Sequence, residues 1–403
     1  MGIEADTRVV ILVNDKPFAG WVAARASQAM DMATGDLQLT FSAQPGRPLP
    51  IRRGDRIQTL FAGQPVLTGY VRQLSGQHDI KHHPIMARCR DKTGDLVQST
   101  IGPKLDIDPP ATAADVARRT LKVMGIGGVG VIDNLKGAEP FGPGEKVSGP
   151  IDMTGHDFLE AWMAKRFGLL TTDGKGNLVL DRNNRDRRAD PGTALHFGPP
   201  DDPFNNVTSS SFAVDDFDRA NAHAVAGQKS PNDRASWESR PKGEPLAQAR
   251  TFANRFGVAY DESVRKSLRK HTRGGSSMSG KTPKGAAKWK SNSSRAKSNE
   301  YVAVVPGFCQ PSGKLWWPGI LVPVYDYWWE LDAELLLKSV TWSKNWPKGA
   351  ETTLHFTLAD GFTDQAGPGK PGKGGALPGE PGETEGRASP ADLGLDEAEV
   401  DVD

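Results

Sequence analysis

Alternating apolar and polar residues predict short strands in the first part of the chain. Leu37, Leu39 and Phe41 alternate with Gln38 and Thr40, which is the period of a half-buried strand. Further apolar runs recur about every ten residues and are separated by turn signals. These runs cover residues 8–13, 56–61, 66–74 and 84–90. The spacing predicts a small β-barrel or β-sandwich domain over residues 1–105.

Helical patterning follows in residues 106–205. Two pairs have the Thr-x-x-Asp spacing of a capping box: Thr112 with Asp115, and Thr154 with Asp157. Each pair precedes apolar residues that fall on one face of a helix. Residues 169–180 then give two short strands joined by a Gly- and Asn-rich turn, the signal of a hairpin. The middle section is therefore predicted to be an α+β domain.

Strand patterning returns in residues 206–362 and predicts a second β domain of the same kind. Its apolar runs are 206–211, 220–226, 301–305, 315–324, 334–342 and 352–358. A polar, basic segment at about 264–299 interrupts the strands and is predicted to be a loop. Residues 363–403 are predicted to be a flexible, Gly/Pro-rich acidic tail. The fold class predicted is thus mainly β with an α+β middle section: two small barrel or sandwich domains, an α+β domain and the tail.

The net charge of the 403 residues is only +1, from 50 Lys and Arg against 49 Asp and Glu. This balance argues against a uniformly basic nucleic-acid-binding protein. It conceals two opposed segments, because residues 265–297 hold eleven Lys and Arg and no acid, whereas residues 364–403 hold ten acids and three bases. Both segments are poor in large apolar residues and are predicted to be flexible. We expect the basic segment to lie against an acidic neighbour or the acidic tail.

Motifs for a cofactor, metal or active site are weak. Residues 275–282 fit the phosphate-loop pattern, but no buried strand precedes them and Pro283 follows directly. His78, His82 and His83 cluster, yet adjacent strand residues point to opposite faces and cannot easily bind one ion. The two cysteines cannot form a disulfide framework, and no apolar run is long enough to cross a bilayer. We expect no cofactor, no metal, no membrane span and no enzymatic activity.

Two alternative functions stay open. The carboxylates of Asp201 and Asp202 could serve a cell-wall hydrolase, although adjacent acids are typical of turns. Residues 265–297 could bind nucleic acid through their Lys and Arg side chains, with Trp289 stacking on a base.

Tryptophans indicate an interface. Six of the ten lie between residues 316 and 346, including two adjacent pairs. On a strand, one member of each pair would face outward and need a covering partner. The interface candidates are Trp316, Trp317, Trp328 and Trp329.

Taken in order, several segments resemble the baseplate hub proteins of Mu-like contractile phage tails, within the tail-hub and VgrG-like class. The similar segments are 8–14 with 18–21, 54–55, 66–71, 87–97, 158–180, 313–318 and 335–340. The acidic tail and the long basic segment depart from the family pattern, so their roles do not follow from the resemblance.

This resemblance implies a structural virion protein of the tail baseplate, synthesised and assembled in the host cytoplasm. In that family three copies form a ring between the hexameric tail tube and the trimeric central spike. Each subunit of that family contains two small barrels, so that the three subunits present six barrels to the six-fold tube. The implied partners are two further copies of the chain, tube and tube-initiator proteins, the spike and the wedge proteins, with DNA passing through the ring.

Overall fold

A computed structural model gives the arrangement of most of the chain. The described residues are 6–42, 48–77, 79, 83–102, 105–135, 138–142, 147–149, 152–182, 187–217, 219–226, 256–273 and 283–358. The phosphate-loop-like segment 275–282, His78, His82 and the predicted acidic tail 363–403 lie outside the described residues.

Seven antiparallel strands occupy the N-terminal part, as the alternating pattern predicts. They are β1 (Val9–Val13), β2 (Lys16–Pro17), β3 (Trp21–Ala29), β4 (Asp36–Ser42), β5 (Arg56–Phe61), β6 (Gln64–Gly76) and β7 (Pro84–Asp91). In β4, Leu37, Leu39 and Phe41 are buried, whereas Gln38 and Thr40 are half-buried. One face of this sheet therefore carries the core.

The carboxylate of Asp91, at the end of β7, holds three neighbouring segments together. Its Oδ1 accepts a hydrogen bond from the backbone N–H of Thr68 at 3.0 Å. Its Oδ2 accepts from the backbone N–H of Gly35 at 3.0 Å and from Nε2 of Gln28 at 3.3 Å. Burial raises the pKa of Asp91 to about 6, although these donors favour the charged form.

The middle section is α+β, as predicted. Its elements are α1 (Gly94–Gln98), β8 (Asp106–Ile107), α2 (Ala113–Val123), β9 (Val131–Asp133), β10 (Val147–Ser148), α3 (Gly155–Ala164), β11 (Leu169–Thr172) and β12 (Leu178–Asp181). Thr112 and Asp115 form the complete capping box at the start of α2. Thr154 caps α3 by accepting a hydrogen bond from the N–H of Asp157 at 3.1 Å. The helices and β11–β12 bury a hydrophobic cluster of their own.

The remaining elements alternate between the large sheet and an inserted module. They are β13 (Leu195–Phe197), β14 (Ser209–Val214), β15 (Ala222–Ala226), β16 (Phe256–Tyr260), β17 (Arg269–Arg273), α4 (Pro283–Ser298), β18 (Asn299–Pro306), β19 (Leu321–Asp326), β20 (Leu331–Asn345) and β21 (Gly349–Thr357). Strands β15, β16 and β17 form a separate three-stranded sheet, with β15 in the centre.

The prediction of a basic loop at about 264–299 is wrong in the described residues. Strand β17 and helix α4 fill most of this segment, and Ala286, Ala287 and Ala296 of α4 are buried. The helix is hard to see in the sequence because alanine is the main apolar residue on its buried side, so the usual pattern of large apolar residues is missing. Packing against β15 and β16 provides the missing hydrophobic contact.

A single 13-stranded sheet contains the strands of both predicted barrels except the run 220–226, which is β15 of the separate sheet. Its order is β14-β18-β21-β20-β3-β4-β7-β6-β5-β1-β2, with β19 beside β20 and β13 beside β19. The first part of β20 pairs with β19, and residues 339–345 pair with residues 23–29 of β3. No closed barrel is found in the described part of the chain, because long β20 continues one half of the sheet into the other.

One hydrophobic cluster also spans both halves. The ring of Phe61, from β5, lies 4.8 Å from the ring of Phe308 and 6.3 Å from that of Trp342, which belongs to β20. All three side chains are fully buried. The two halves therefore depend on the same core contacts.

We expect Phe61→Ala to lower the free energy of unfolding by about 3–5 kcal/mol, because it removes a buried ring and leaves a cavity. Both halves should unfold in one transition, measured in denaturant by tryptophan fluorescence and far-UV circular dichroism. Phe217→Ala, which alters a side chain that is 94% exposed, is the control and should change little. An early, separate transition in one half would contradict the shared core.

Asp91 should give a distinctive pH dependence of stability. The folded-state pKa of about 6 lies above the ordinary 3.8, so the folded protein favours the protonated carboxyl. This preference stabilises the fold most below pH 4, and the stabilisation is lost as the pH rises through 6. The stability of the wild type relative to Asp91→Asn should therefore fall between pH 4 and 7, by on the order of 3 kcal/mol. Denaturant unfolding curves measured over this pH range test the prediction, and Asp15→Asn, which alters an exposed carboxylate, is the control. If the stabilities of the wild type and Asp91→Asn changed in parallel with pH, the prediction would be contradicted.

Candidate functional site

The four predicted interface tryptophans differ in how far the structure exposes them to solvent. Trp316 is only 3% exposed and belongs to the central core, so it packs inside the protein and cannot contact a partner. Trp317 is partly buried, with its ring 5.6 Å from that of Trp342. Trp328 is 57% exposed, and Trp329 lies half-buried beside it. The surface candidates are therefore Trp328 and Trp329.

The turn between β19 and β20 positions this pair. Oδ1 of Asp326 accepts hydrogen bonds from the backbone N–H groups of Trp328 at 3.0 Å and Trp329 at 3.3 Å. Oδ2 of the same carboxylate accepts from the hydroxyl of Tyr301 at 2.8 Å. Both Asp326 and Tyr301 are fully buried. A buried carboxylate with several donors fixes the backbone of the turn and thus the direction of both indoles.

Tyr301 is held in its donating form. Burial raises the pKa of its hydroxyl, and the hydrogen bond to Asp326 acts in the same direction. The proton therefore stays on the tyrosine, and the carboxylate of Asp326 receives it as a hydrogen bond.

Trp328 and Trp329 line a shallow, mainly apolar groove of about 500 Å³. The other lining residues are Phe197, Gly198, Pro200, Asn205 and Ser210. Trp329 is anchored in it, because its Nε1 donates to Oγ of Ser210 at 3.2 Å and its ring lies 4.2 Å from that of Phe212. Trp328 remains free to contact another molecule.

Further exposed aromatic rings lie on the segments next to those that line this groove. Phe204 is 72% exposed, and Tyr327 and Tyr325 are also exposed. The imidazole of His196 stacks on Tyr325 at 4.5 Å between ring centroids. Aromatic side chains on a surface of this kind are typical of protein–protein interfaces.

The carboxylates considered for a hydrolase have local structural contacts. Oδ2 of Asp202 lies 2.8 Å from Nε2 of His196, and its Oδ1 accepts the backbone N–H of Phe204. These contacts lower the pKa of Asp202, the backbone hydrogen bond most strongly. Asp202 thus orders the turn that carries Phe204, whose ring lies 6.0 Å from that of His196.

The sequence interpretation missed Asp326, Tyr301 and Phe204. An aspartate immediately before Tyr327, Trp328 and Trp329 is a recognisable signal, since aspartates often accept hydrogen bonds from N–H groups two or three residues ahead. Nothing in the sequence indicates that Tyr301 reaches this carboxylate from β18, because the two residues meet only through the tertiary fold.

One group of side chains in the described residues has a spacing that suits a metal ion. His156, Asp157 and Glu160, near the start of α3, have ligand atoms within 4.8 Å of one another. Asp157 and Glu160 are exposed, and Asp157 also takes part in the helix cap. Among the described helices, none has the length and apolar composition needed to span a membrane.

Comparisons with known proteins identify relatives of this chain. Residues 8–91, which are strands β1 to β7, match the family model described as Mu phage baseplate assembly protein GpP-like, N-terminal. The chain is 23% identical over 356 residues to the baseplate hub protein gp44 of Escherichia phage Mu, and the match covers 88% of each protein.

Two solved structures share the fold. One is a 43 kDa tail protein of prophage MuSo2 from Shewanella oneidensis, with 24% identity, a TM-score of 0.69, and coverage of 87% of this chain and 98% of that one. The other is a tail protein from Neisseria meningitidis MC58, with 17% identity, a TM-score of 0.68, and coverage of 87% and 95%. The resemblance predicted from the sequence is confirmed: residues 8–91 match the N-terminal model of the Mu baseplate assembly family, and most of the chain is similar in sequence to the hub protein of phage Mu.

Proposed function

We propose that this chain is a structural hub protein of a contractile tail baseplate. The observation that carries the proposal is the similarity to the Mu hub protein, which extends over 88% of both chains and is not limited to one domain. The shared fold of two tail proteins at TM-scores near 0.7 supports it. These relatives are named as a baseplate hub protein and tail proteins, and the role proposed for this chain needs no catalysis.

The assembly that we propose is a ring of three copies. The ring joins the hexameric tail tube to the trimeric central spike, contacts tube-initiator and wedge proteins, and leaves a channel for DNA. In each copy, the half-sheet around β4 and the half-sheet around β21 would each provide one β-structure that faces the tube. Three copies would then present six such β-structures to the six-fold tube. The assembled protein would reside in the virion.

A ring made by rotation needs two different, complementary patches on each subunit. The aromatic groove is suited to be one of them, because Trp328 is exposed on a rigid turn while Trp329 is anchored below it. A partner side chain could fill the groove between Trp328 and Phe197. Aromatic anchors in such sites commonly carry much of the binding free energy.

The mass of the purified full chain in solution tests the proposed assembly. Native mass spectrometry and light scattering should give three times the chain mass of 43.4 kDa. A stable monomer or dimer at the concentrations used for assembly would contradict the ring.

Replacing the exposed indole tests the groove as the subunit contact. Trp328→Ala should weaken association by roughly 30-fold or more, since losing an interface anchor costs about 2 kcal/mol. Adding Trp329→Ala should abolish trimers while leaving a folded monomer. Trimer dissociation on dilution, followed by light scattering, measures both.

Trp346→Ala is the matched control. Trp346 is 84% exposed and lies just beyond the other end of β20, far from the groove. This substitution also removes a surface indole, yet it should leave the trimer intact. Trimers that survive the double substitution unchanged would show that the groove is not the subunit contact.

A further inference from the structure

The charge of this chain is concentrated in two parts that lie far apart in the sequence. Residues 219–298, which contain the inserted module, hold eighteen Lys and Arg against five Asp and Glu. Residues 359–403 hold eleven acids against three bases, and from residue 388 onward there are six acids and no base. The net charge of +1 therefore results from the cancellation of a strongly basic part and a strongly acidic one.

In the described residues of this basic part, a helix packs on a sheet and several cations face solvent. Helix α4 packs on the sheet through Ala286 and Ala287, which contact Val225 of β15. Arg265, Lys266, Arg269 and Lys297 are exposed. These four residues are termed the basic face below.

Two acids near the basic face share one arginine. Asp261 is buried, and its Oδ2 accepts from Nη2 of Arg219 at 2.9 Å, while its Oδ1 accepts from the hydroxyl of Ser263 at 2.5 Å. Asp216 also pairs with Arg219, at 2.9 Å. Glu262, in the neighbouring loop, is exposed. These acids offset part of the positive charge of the four exposed cations, and the basic face keeps a net positive charge.

Backbone hydrogen bonds bring the parts of the basic face to one end of the module. The N–H of Asp215 donates to the carbonyl of Ser298, at the end of α4. A few residues later, the N–H of Asn221 donates to the carbonyl of Leu268, in the loop that carries Arg265 and Arg269. The segment 215–221 thus links Lys297 to that loop, next to the large sheet.

The described chain ends at this same place. The hydroxyl of Thr357, at the end of β21, donates to the carbonyl of Ala296 at 2.5 Å, and Ala296 directly precedes Lys297. Leu358 is the last described residue. The acidic sequence therefore begins beside the basic face.

The acidic residues can reach the whole basic face from this starting point. Thirty-three residues lie between Leu358 and Asp392, and a connection of this length can reach up to about 110 Å when fully extended. Helix α4, with its 16 residues, is about 24 Å long. A contact within one chain needs less affinity than a contact between separate molecules, because its two partners are covalently connected.

We propose that the acidic segment 392–403 docks on the basic face of the inserted module of its own chain and covers it. The occupied face then has little affinity for other polyanions, among them the DNA that a tail conducts. The charge complementarity, the exit of the chain beside Ala296 and the length of the connection support this occupant. The inference does not depend on the number of subunits in the ring.

Zero-length carbodiimide cross-linking of the full chain tests the docking. Carboxylates of residues 392–403 should cross-link to Lys266 and Lys297, and 1 M NaCl should suppress the products, because it shortens the screening length to about 3 Å. Peptide mass spectrometry identifies the pairs. Cross-links that form elsewhere, or none, would overturn the proposal.

A matched pair of triple variants shows which acids are responsible. The first variant combines Glu397→Gln, Glu399→Gln and Asp401→Asn. Its segment 392–403 keeps three acids but should no longer dock, so the cross-links of these acids to the basic face should disappear. Glu380→Gln, Glu383→Gln and Glu385→Gln remove the same charge upstream and should leave them unchanged. Equal losses in both variants would indicate a general charge effect and contradict docking of 392–403.

Binding of a fluorescein-labelled 20-base-pair duplex gives a second measurement. Anisotropy titration in 50 mM NaCl should show about tenfold tighter binding to the 397/399/401 variant than to the wild type, whereas the 380/383/385 variant should match the wild type. Adding Arg265→Gln, Lys266→Gln, Arg269→Gln and Lys297→Gln should abolish the gain. Identical affinities in all variants would show that the acidic segment does not cover the face.

Discussion

The antiparallel pairing of residues 339–345 with residues 23–29 joins the two ends of this chain into one sheet. Phe61 also packs against Phe308 and Trp342, so backbone hydrogen bonds and side-chain packing stabilise the same contact between the two halves of the sheet. Contacts between residues so distant in sequence are costly in loop entropy and form late in folding. Every other part of the molecule is attached to this joined sheet.

The two long excursions of the chain are positioned by this sheet. The middle section has its own core, but Thr171 donates to the carbonyl of Ala29 and Thr68 donates to that of Gly174, which ties the hairpin to the N-terminal strands. The inserted module leaves from β14 and returns through α4 into β18. Both excursions are thus fixed where they meet the sheet, which is how a multi-part subunit can present several surfaces in a defined geometry.

Two surfaces with different physical character result. The aromatic groove is apolar and rests on a buried network of Tyr301, Asp326 and the turn backbone, which favours a permanent contact with another protein. The basic face is charged and exposed, and the sequence supplies an acidic segment within reach of it. An apolar contact is little affected by salt, whereas a charged contact is weakened by salt and can be exchanged for another polyanion.

The sequence by itself determined the features that depend on neighbouring residues. The strands of the N-terminal half, the caps at Thr112 and Thr154 and the 169–180 hairpin follow from local periodicity and turn chemistry. The density of tryptophans also indicated which segment would carry exposed indoles, among them Trp328. Only the tertiary structure decided that Trp316 is core and Trp328 is surface, that α4 is a helix, and that both halves share one sheet. These outcomes depend on which remote strands pair and what then covers each side chain, and such pairing leaves no periodic pattern in a single sequence.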